Sequence, residues 1–456
     1  MPRTRLSSSF RDPSGFVFRE GDTLLRAVSP SYLPHLGHLT NSGLYADLVK
    51  ANLLIPHEEL VTSTSEAGVL LKPEPVKFIS YPYEWSFGQL KDAALTTLEI
   101  QRRALGFGMW LKDASAYNIQ RHGGRSLLID TLSFELYEEG APWPAYRQFC
   151  EHFLAPLALM GLVDIRLGRL QREYIDGIPL DLASRLVPAM TKLNVGLAIH
   201  LHAHARAQVA HAGAGTNTNS GRVAKNGLLA IVDSLRTTVE RLDWKPKGTP
   251  WADYYSDTNY GEEAFAEKRR LVSQMLESIE PKPESVWDLG ANTGEFSLLA
   301  TDRGIDTVSW DIDPGAVERN YRKNRSNDRL YPLLQDLTNP SPGLGWGNRE
   351  RDGLAGRSPA GAIMALALVH HLAIGNNVPL SEVAGYFAEL APWAIVEFVP
   401  KSDSQVQRLL STRKDIYADY SAAGFEEAFC EPFDIVKRAP ISGSDRTLYL
   451  LKRRTD

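Results

Sequence analysis

The sequence contains very little cysteine, no long apolar run and no excess of positive charge, and each absence excludes a class of protein. Cys150 and Cys430 are the only cysteines among 456 residues. They lie far apart and form no C-x-x-C pair, so neither a disulfide framework nor a zinc site is expected. No apolar run reaches membrane-spanning length, and the segment M-P-R-T-R-L-S-S-S-F lacks the apolar core of a signal peptide. We therefore expect a cytoplasmic protein of bacterial type with no membrane span.

The net charge and the length of the chain further restrict the class of protein. The formal net charge of −5 offers no basic field that would grip a phosphate backbone, so nucleic acid is not an expected partner. A chain of 456 residues exceeds one ordinary domain. We expect an α+β domain over residues 1–165 and a helical connector over 166–245. The small, polar segment 212–221 forms a flexible linker inside that connector, and an α/β domain follows over 246–456.

The most informative segment runs from Ser285 to Glu295, where a β-type run ends at an acidic residue and enters a glycine turn. Asp288 ends the run, Gly290 and Gly294 supply the turn, and a helical run follows. Glycine lets the backbone approach a ligand that a Cβ would push away, and a helix N-terminus adds unpaired N–H groups. The spacing D-x-G-x-x-x-G is neither the dinucleotide fingerprint nor a P-loop.

A series of further strands is predicted after this turn. A strand over 305–310 ends at Asp311, at the distance that one turn, one helix and one strand require. The run Leu333-Leu334-Gln335 leads to Asp336, and 362–368 is continuously apolar, as a buried parallel strand should be. A strand over 393–398 and two runs over 433–437 and 447–452, separated by a turn cluster, complete the set.

Together these motifs resemble the class I S-adenosylmethionine (SAM)-dependent methyltransferases over roughly residues 250–456. The resemblance implies a doubly wound, seven-stranded α/β sheet that ends in an antiparallel hairpin, with SAM as the cofactor. It implies that Asp311 holds the ribose hydroxyls, with Asp313 the less suitable choice, and that Asp336 takes the adenine amino group. The full set of cofactor-binding residues is Asp288, Gly290, Ala291, Asn292, Gly294, Asp311, Ile312, Asp336 and Leu337. The alternative is another doubly wound nucleotide-binding protein.

Two adjacent histidines follow the fourth strand of this sheet. Ligands of open α/β sheets lie beyond the carboxyl ends of the strands, so His370 and His371 lie near the expected methyl group. Either histidine is a candidate base that takes the proton of an acceptor hydroxyl. The alternative is that one of them ends the strand and only shapes the pocket. Glu397, at the end of the fifth strand, is another candidate base.

The N-terminal third carries a second resemblance. Asp113, Asn118 five residues later, and Asp130 after a hairpin resemble the catalytic loop of kinase-like phosphotransferases, including aminoglycoside phosphotransferases. The resemblance implies that Asp113 is the base and that the other two residues hold magnesium. The glycine-rich loop is absent, however, and Arg26 lies near the place of the phosphate-binding lysine. Three interpretations remain: an active kinase that binds ATP and magnesium, a kinase-like fold that has lost this chemistry, or a chance spacing in which the residues cap turns. We favour the second.

Four histidines suggest a metal site at first sight. His200 and His204 share a helix face, but His202 points away and no carboxylate follows at ligand spacing, so no metal is expected there or near His211. The sequence predicts methyl transfer to an oxygen of a small-molecule or glycan acceptor, with the kinase-like domain holding the substrate or a partner. The alternatives are a protein- or ribosome-directed methyltransferase, a bifunctional kinase-methyltransferase and a non-catalytic SAM-binding scaffold. The oligomeric state is not predicted.

Overall fold

A computed structural model describes residues 3–60, 68–204, 222–246, 261–411 and 414–454. The chain divides into two compact units. Unit 1 consists of residues 1–245 and 344–351, and unit 2 of residues 246–343 and 352–456. The linker predicted over 212–221 lies outside the described residues. Among the described residues, no helix combines the length and apolarity needed to cross a bilayer.

Unit 1 begins with a five-stranded antiparallel sheet of order β1-β2-β3-β5-β4. Its strands are β1 (Arg3–Arg5), β2 (Gly15–Glu20), β3 (Thr23–Val28), β4 (His57–Leu60) and β5 (Val69–Pro73). The predicted hairpin is β2 and β3, and its turn contains Gly21 at a φ of 60°. Two helices, α1 (Leu33–Asn41) and α2 (Leu44–Lys50), connect β3 to β4.

A long helix, α3 (Phe87–Gly106), follows the sheet. It begins at a capping box in which the Ser86 hydroxyl accepts from the Gln89 N–H and the Gln89 side chain accepts from the Ser86 N–H. Two short antiparallel ladders come next, one of β6 (Met109–Leu111) with β9 (Phe134–Leu136) and one of β7 (Ile119–His122) with β8 (Arg125–Leu128). The remaining helices are α4 (Tyr146–Phe149), α5 (Ala155–Leu162), α6 (Leu170–Glu173), α7 (Leu180–Leu186), α8 (Val195–Leu197) and α9 (Lys225–Arg241).

Unit 2 is built on a seven-stranded sheet of order β12-β11-β10-β13-β14-β16-β15. Its strands are β10 (Ser285–Leu289), β11 (Asp306–Asp311), β12 (Leu330–Leu334), β13 (Ala362–Ala365), β14 (Trp393–Phe398), β15 (Phe433–Pro440) and β16 (Thr447–Arg453). Strands β10 to β14 are parallel, and β16 is antiparallel to both of its neighbours. The helices are α10 (Glu262–Glu277), α11 (Ser297–Thr301), α12 (Pro314–Lys323), α13 (Leu380–Leu390), α14 (Ser404–Leu410) and α15 (Ala422–Cys430).

The central strands of unit 2 are buried on both faces. All four residues of β13 and all six of β14 are buried, as expected of parallel strands inside a doubly wound fold. The strand order and the closing antiparallel hairpin confirm the fold predicted for the C-terminal half. A mixed α/β sheet of this kind is typical of methyltransferases.

Candidate cofactor and active site

The turn after β10 has a conformation that only glycine adopts without strain. Gly290 and Gly294 have φ of 76° and 83°. A Cβ on Gly294 would lie 2.6 Å from the amide of Asn320, a buried residue of α12. The N–H groups of Gly290 and Ala291 both donate to the carbonyl of Trp310, at 2.8 and 2.9 Å. These bonds fix the turn over the neighbouring strand β11.

Asp288 lies beneath this turn in a chain of hydroxyl groups. The Ser297 hydroxyl donates to Asp288 at 2.6 Å, and the Ser309 hydroxyl donates to Ser297 at 2.6 Å. Asp288 is only 2% exposed. Burial raises its pKa to about 7, although the Ser297 bond and Lys268 act in the opposite direction. Burial of this carboxyl group therefore favours its neutral form.

Asp311 occupies the tip of β11. Its two oxygens accept from the N–H groups of Asn292, at 2.7 Å, and Asp313, at 2.8 Å. Burial raises its pKa to about 6, against the effect of these hydrogen bonds. Each carboxylate oxygen keeps a lone pair for a further donor. Asp313 instead caps α12 by accepting from the N–H groups of Gly315 and Ala316.

A cavity of about 270 Å³ opens along the carboxyl ends of β10 to β13. The predicted residues that line it are Asp288, Gly290, Ala291, Asn292, Asp311, Ile312, Asp336, Leu337 and His371. Gly294 is not among the lining residues. Asp336 is held by its own turn, because its carboxylate accepts from the N–H and the hydroxyl of Thr338. The structure thus brings the glycine turn and all three acidic strand ends together around one cavity.

The two histidines after β13 differ in position. His371 lines the cavity, and burial together with Arg446 lowers its pKa to about 4. His370 is 1% exposed and is not among the lining residues. Neither of its ring nitrogens has a hydrogen-bond partner within the described part of the chain. Burial, His371 and the cations Arg446 and Lys268 lower its pKa well below the usual value. Both imidazoles are neutral at pH 7, and only His371 faces the cavity.

A buried charge network reaches the cavity through Lys268. The ammonium of Lys268, in α10, lies 2.6 Å from Glu397 and 4.6 Å from the centre of the Phe296 ring. Glu397 also pairs with Arg446 at 3.4 Å, and Arg446 pairs with Asp403 at 2.7 Å. Glu397 is therefore occupied by two cations, which makes it a poor base. Lys268 is the one member of this network that lines the cavity.

A second cavity of about 800 Å³ adjoins the first one. The two share Leu337, Thr338 and Leu372. The second cavity also has Ser381, Glu382, Tyr386 and Glu389 along its wall, all from α13. It adds hydroxyl and carboxylate groups to the apolar lining of the first cavity.

In unit 1, the three residues of the kinase-like motif are engaged in local hydrogen bonds. Asp113 accepts from the Ser115 N–H and the Gln148 side chain. Asn118 donates to Ser133 at 3.4 Å. Asp130 accepts from the Leu132 N–H and the Ser133 hydroxyl and pairs with Arg26, whose pKa burial lowers to about 10. Within the described residues, no group of three metal-ligating side chains is present.

The comparisons with known proteins identify the family. No protein-family model matches the chain. The nodulation protein NoeA of Rhizobium meliloti (strain 1021) is 35% identical, and the match covers 98% of this chain and 96% of NoeA. The chain belongs to the NoeA family.

Several solved structures are similar to parts of this NoeA-family chain. Magnesium protoporphyrin IX methyltransferase (ChlM) from Synechocystis PCC 6803, with bound SAH, is 17% identical with a TM-score of 0.31, covering 45% of this chain and 93% of its own. The N-methyltransferase NodS from Bradyrhizobium japonicum WM9 is 13% identical with a TM-score of 0.31, covering 42% and 98%. WbdD is 15% identical with a TM-score of 0.30, covering 45% of this chain and 43% of its own.

Sequence analysis missed several residues around the cavity. Phe265 and Lys268 come from α10, and Phe296 lies just before α11. One feature of the sequence could have identified Lys268 as a site residue. It occupies the buried face of α10, between Ala264 and Leu271, where a lone cation is unusual and marks a buried ion pair or a ligand site.

Proposed function

We propose that this chain is a SAM-dependent methyltransferase whose reaction takes place in the unit 2 cavity. The observation that supports the proposal best is the convergence of the glycine turn, Asp288 and Asp311 on one cavity. The close backbone turn suits the methionine part of SAM, and Asp311 suits the ribose hydroxyls. Asp336 and Leu337, at the end of β12, are the proposed adenine contacts.

The proposed chemistry needs little from the protein beyond alignment and one base. SAM, when bound, supplies a methyl group on a positively charged sulfur. His371 faces the cavity and is neutral at pH 7. It accepts the hydroxyl proton of the acceptor as the oxygen attacks, and later passes this proton to water. Protonated His371 replaces the positive charge that the sulfur loses, so the net charge of the cavity is unchanged.

The acceptor is proposed to be an oxygen of a small or glycan-type molecule. The adjoining cavity supports this proposal, because Ser381, Glu382 and Tyr386 offer hydrogen-bonding groups of the kind that a hydroxyl-rich ligand needs. NoeA is a nodulation protein, and we propose that this chain acts in nodulation as well.

For unit 1 we propose a kinase-like fold that has lost its ATP chemistry and holds the substrate or a partner. Two features support the fold: a five-stranded antiparallel sheet with helices between its third and fourth strands, and a long helix before the motif. The pairing of Arg26 with Asp130 supports the loss, because the guanidinium occupies the carboxylate that would hold magnesium. The predicted linker and domain boundaries remain part of this proposal.

Calorimetric titration of the full chain with SAM and with its demethylated product tests the cofactor site. Asp311→Ala should weaken binding of both compounds, since it removes the acceptor for the ribose hydroxyls. Asp434→Ala is the matched control, because Asp434 is an exposed carboxylate of unit 2 that pairs with Arg454 at the surface. Wild-type protein that binds neither compound would refute the proposal. A parallel titration with ATP and magnesium should give no binding, and magnesium-dependent binding that Asp130→Ala abolishes would refute the loss of ATP chemistry.

The acceptor is then sought with SAM carrying a labelled methyl group. Incubation with metabolite and cell-wall extracts, followed by mass spectrometry, should place the label on a hydroxyl oxygen of a small molecule or glycan. Label found in protein or ribosomal material instead would contradict the proposed acceptor class and leave the cofactor assignment standing.

A further inference from the structure

Five large aliphatic side chains of unit 1 project into solvent from one short segment. They are Leu186, Met190, Leu193, Val195 and Ile199, which we call the aliphatic ridge. Leu193 is 87% exposed, Met190 74% and Val195 72%. A single exposed leucine is ordinary on a protein surface, but five exposed aliphatic side chains within one short segment indicate an interaction site.

The ridge is held in place by buried polar contacts beneath it. His202, which is 3% exposed, lies between two hydroxyl groups: Ser184 Oγ is 2.7 Å from its Nδ1, and Thr191 Oγ1 is 2.8 Å from its Nε2. Gly196 packs so closely on Thr238 of α9 that a Cβ there would collide with its hydroxyl. These contacts join α7, the turn over 189–193 and the helical turn over 198–203. The exposed side chains are therefore presented from an ordered support.

The segment that carries the ridge is positively charged. Residues 182–199 contain no aspartate or glutamate, although the whole chain has a formal net charge of −5. Arg185 and Lys192 are both exposed within this segment. Asp181 approaches Arg185 only to 3.7 Å, a distance at which an exposed pair contributes little. The segment thus combines aliphatic side chains with cations, which is complementary to a surface of anionic lipid headgroups above an apolar layer.

We propose that the aliphatic ridge inserts into the interface of an anionic lipid bilayer and attaches the protein to it peripherally. Two observations favour lipid over a protein partner. Residues 182–199 carry two exposed cations and no carboxylate, which suits anionic headgroups. The ridge also contains no Trp, Tyr or Phe, the residues that dominate the energetics of protein interfaces. The proposal assigns to unit 1 a binding surface that is independent of the unit 2 cavity.

Co-sedimentation of the full chain with phospholipid vesicles tests the proposal. Wild-type protein should sediment with vesicles that contain phosphatidylglycerol and much less with pure phosphatidylcholine vesicles. The double variant Met190→Glu/Leu193→Glu should lower partitioning roughly tenfold or more, because it places charge where aliphatic side chains enter the interface. Ile416→Glu is the matched control, since Ile416 is 66% exposed but belongs to unit 2, and it should partition like wild type.

Further measurements test the role of charge and show whether each variant is folded. Arg185→Glu/Lys192→Glu should remove the preference for anionic vesicles, and added salt should weaken binding of wild type. Thermal unfolding of each variant confirms that it is folded. Equal sedimentation of wild type and the Met190→Glu/Leu193→Glu variant would overturn the proposal. So would concentration-dependent self-association of wild type, in the absence of vesicles, that this variant abolishes, because the ridge would then be a contact between copies of the chain.

Discussion

Gly294→Ala is the sharpest test of the glycine turn. At a φ of 83° an alanine costs about 1 kcal/mol in backbone strain. Its Cβ would also lie 2.6 Å from the amide of Asn320. That amide is buried and accepts from Asn324 at 2.8 Å, so it cannot rotate freely away. An overlap of this kind adds about 1–3 kcal/mol, for a total destabilisation of about 2–4 kcal/mol.

The matched control is Gly304→Ala. Gly304 has a φ of 73°, but a Cβ there would meet nothing within 4 Å. Only the strain of about 1 kcal/mol should remain. Calorimetric unfolding of the full chain measures both variants, and the transition of unit 2 is the one that added SAM shifts. At about 2–4 °C per kcal/mol, its midpoint should fall by roughly 4–16 °C in Gly294→Ala and roughly 2–4 °C in Gly304→Ala. Equal shifts in the two variants would refute the reasoning.

Three other predictions concern the cavity. Burial raises the pKa of Asp288 from 3.8 to about 7, so in this pH window the folded state holds a proton that the unfolded chain releases. The stability of the wild type should therefore fall relative to that of Asp288→Asn as pH rises from about 4 to 7. Parallel stability curves in that window would contradict the assignment. His371→Ala should abolish methyl transfer while SAM still binds. If His370→Ala lost activity and His371→Ala kept it, His370 would be the base instead. Lys268→Met should destabilise unit 2 by roughly 3–5 kcal/mol because it leaves Glu397 buried without its closest cation, and Lys268→Met/Glu397→Gln should recover part of this loss in urea unfolding.

The predictable part of the site consists of short, continuous motifs. Asp288, the glycine turn and Asp311 lie within 24 residues, and the backbone conformation of each is dictated locally by strand, turn or helix signals. The parallel pairing was predictable because apolar runs alternate with helical segments. The structure therefore agrees with the sequence most closely where function depends on main-chain geometry.

The remaining parts depend on contacts between residues that are far apart in the chain. Lys268 meets Glu397 across 129 positions, and Arg26 meets Asp130 across 104. No local sequence pattern predicts these pairings, because they arise only when helices and strands pack against one another. The extent of unit 1 was unpredictable for the same reason, since residues 344–351 belong to it although they lie between β12 and β13 in sequence. Likewise, the sequence could not decide whether His370 or His371 is the base. The course of the backbone after β13 determines which of the two side chains faces the cavity.

The two acidic strand ends have a thermodynamic consequence beyond holding a ligand. Burial raises the pKa of Asp288 to about 7 and that of Asp311 to about 6, so it favours the neutral forms of both carboxyl groups. In the proposed SAM complex a cationic sulfonium beside them favours the ionised forms, so we expect SAM binding to release protons into the buffer. The uncharged thioether of the demethylated product should release fewer protons. We therefore expect the affinity for SAM, relative to that for its product, to rise with pH as the two buried acids ionise.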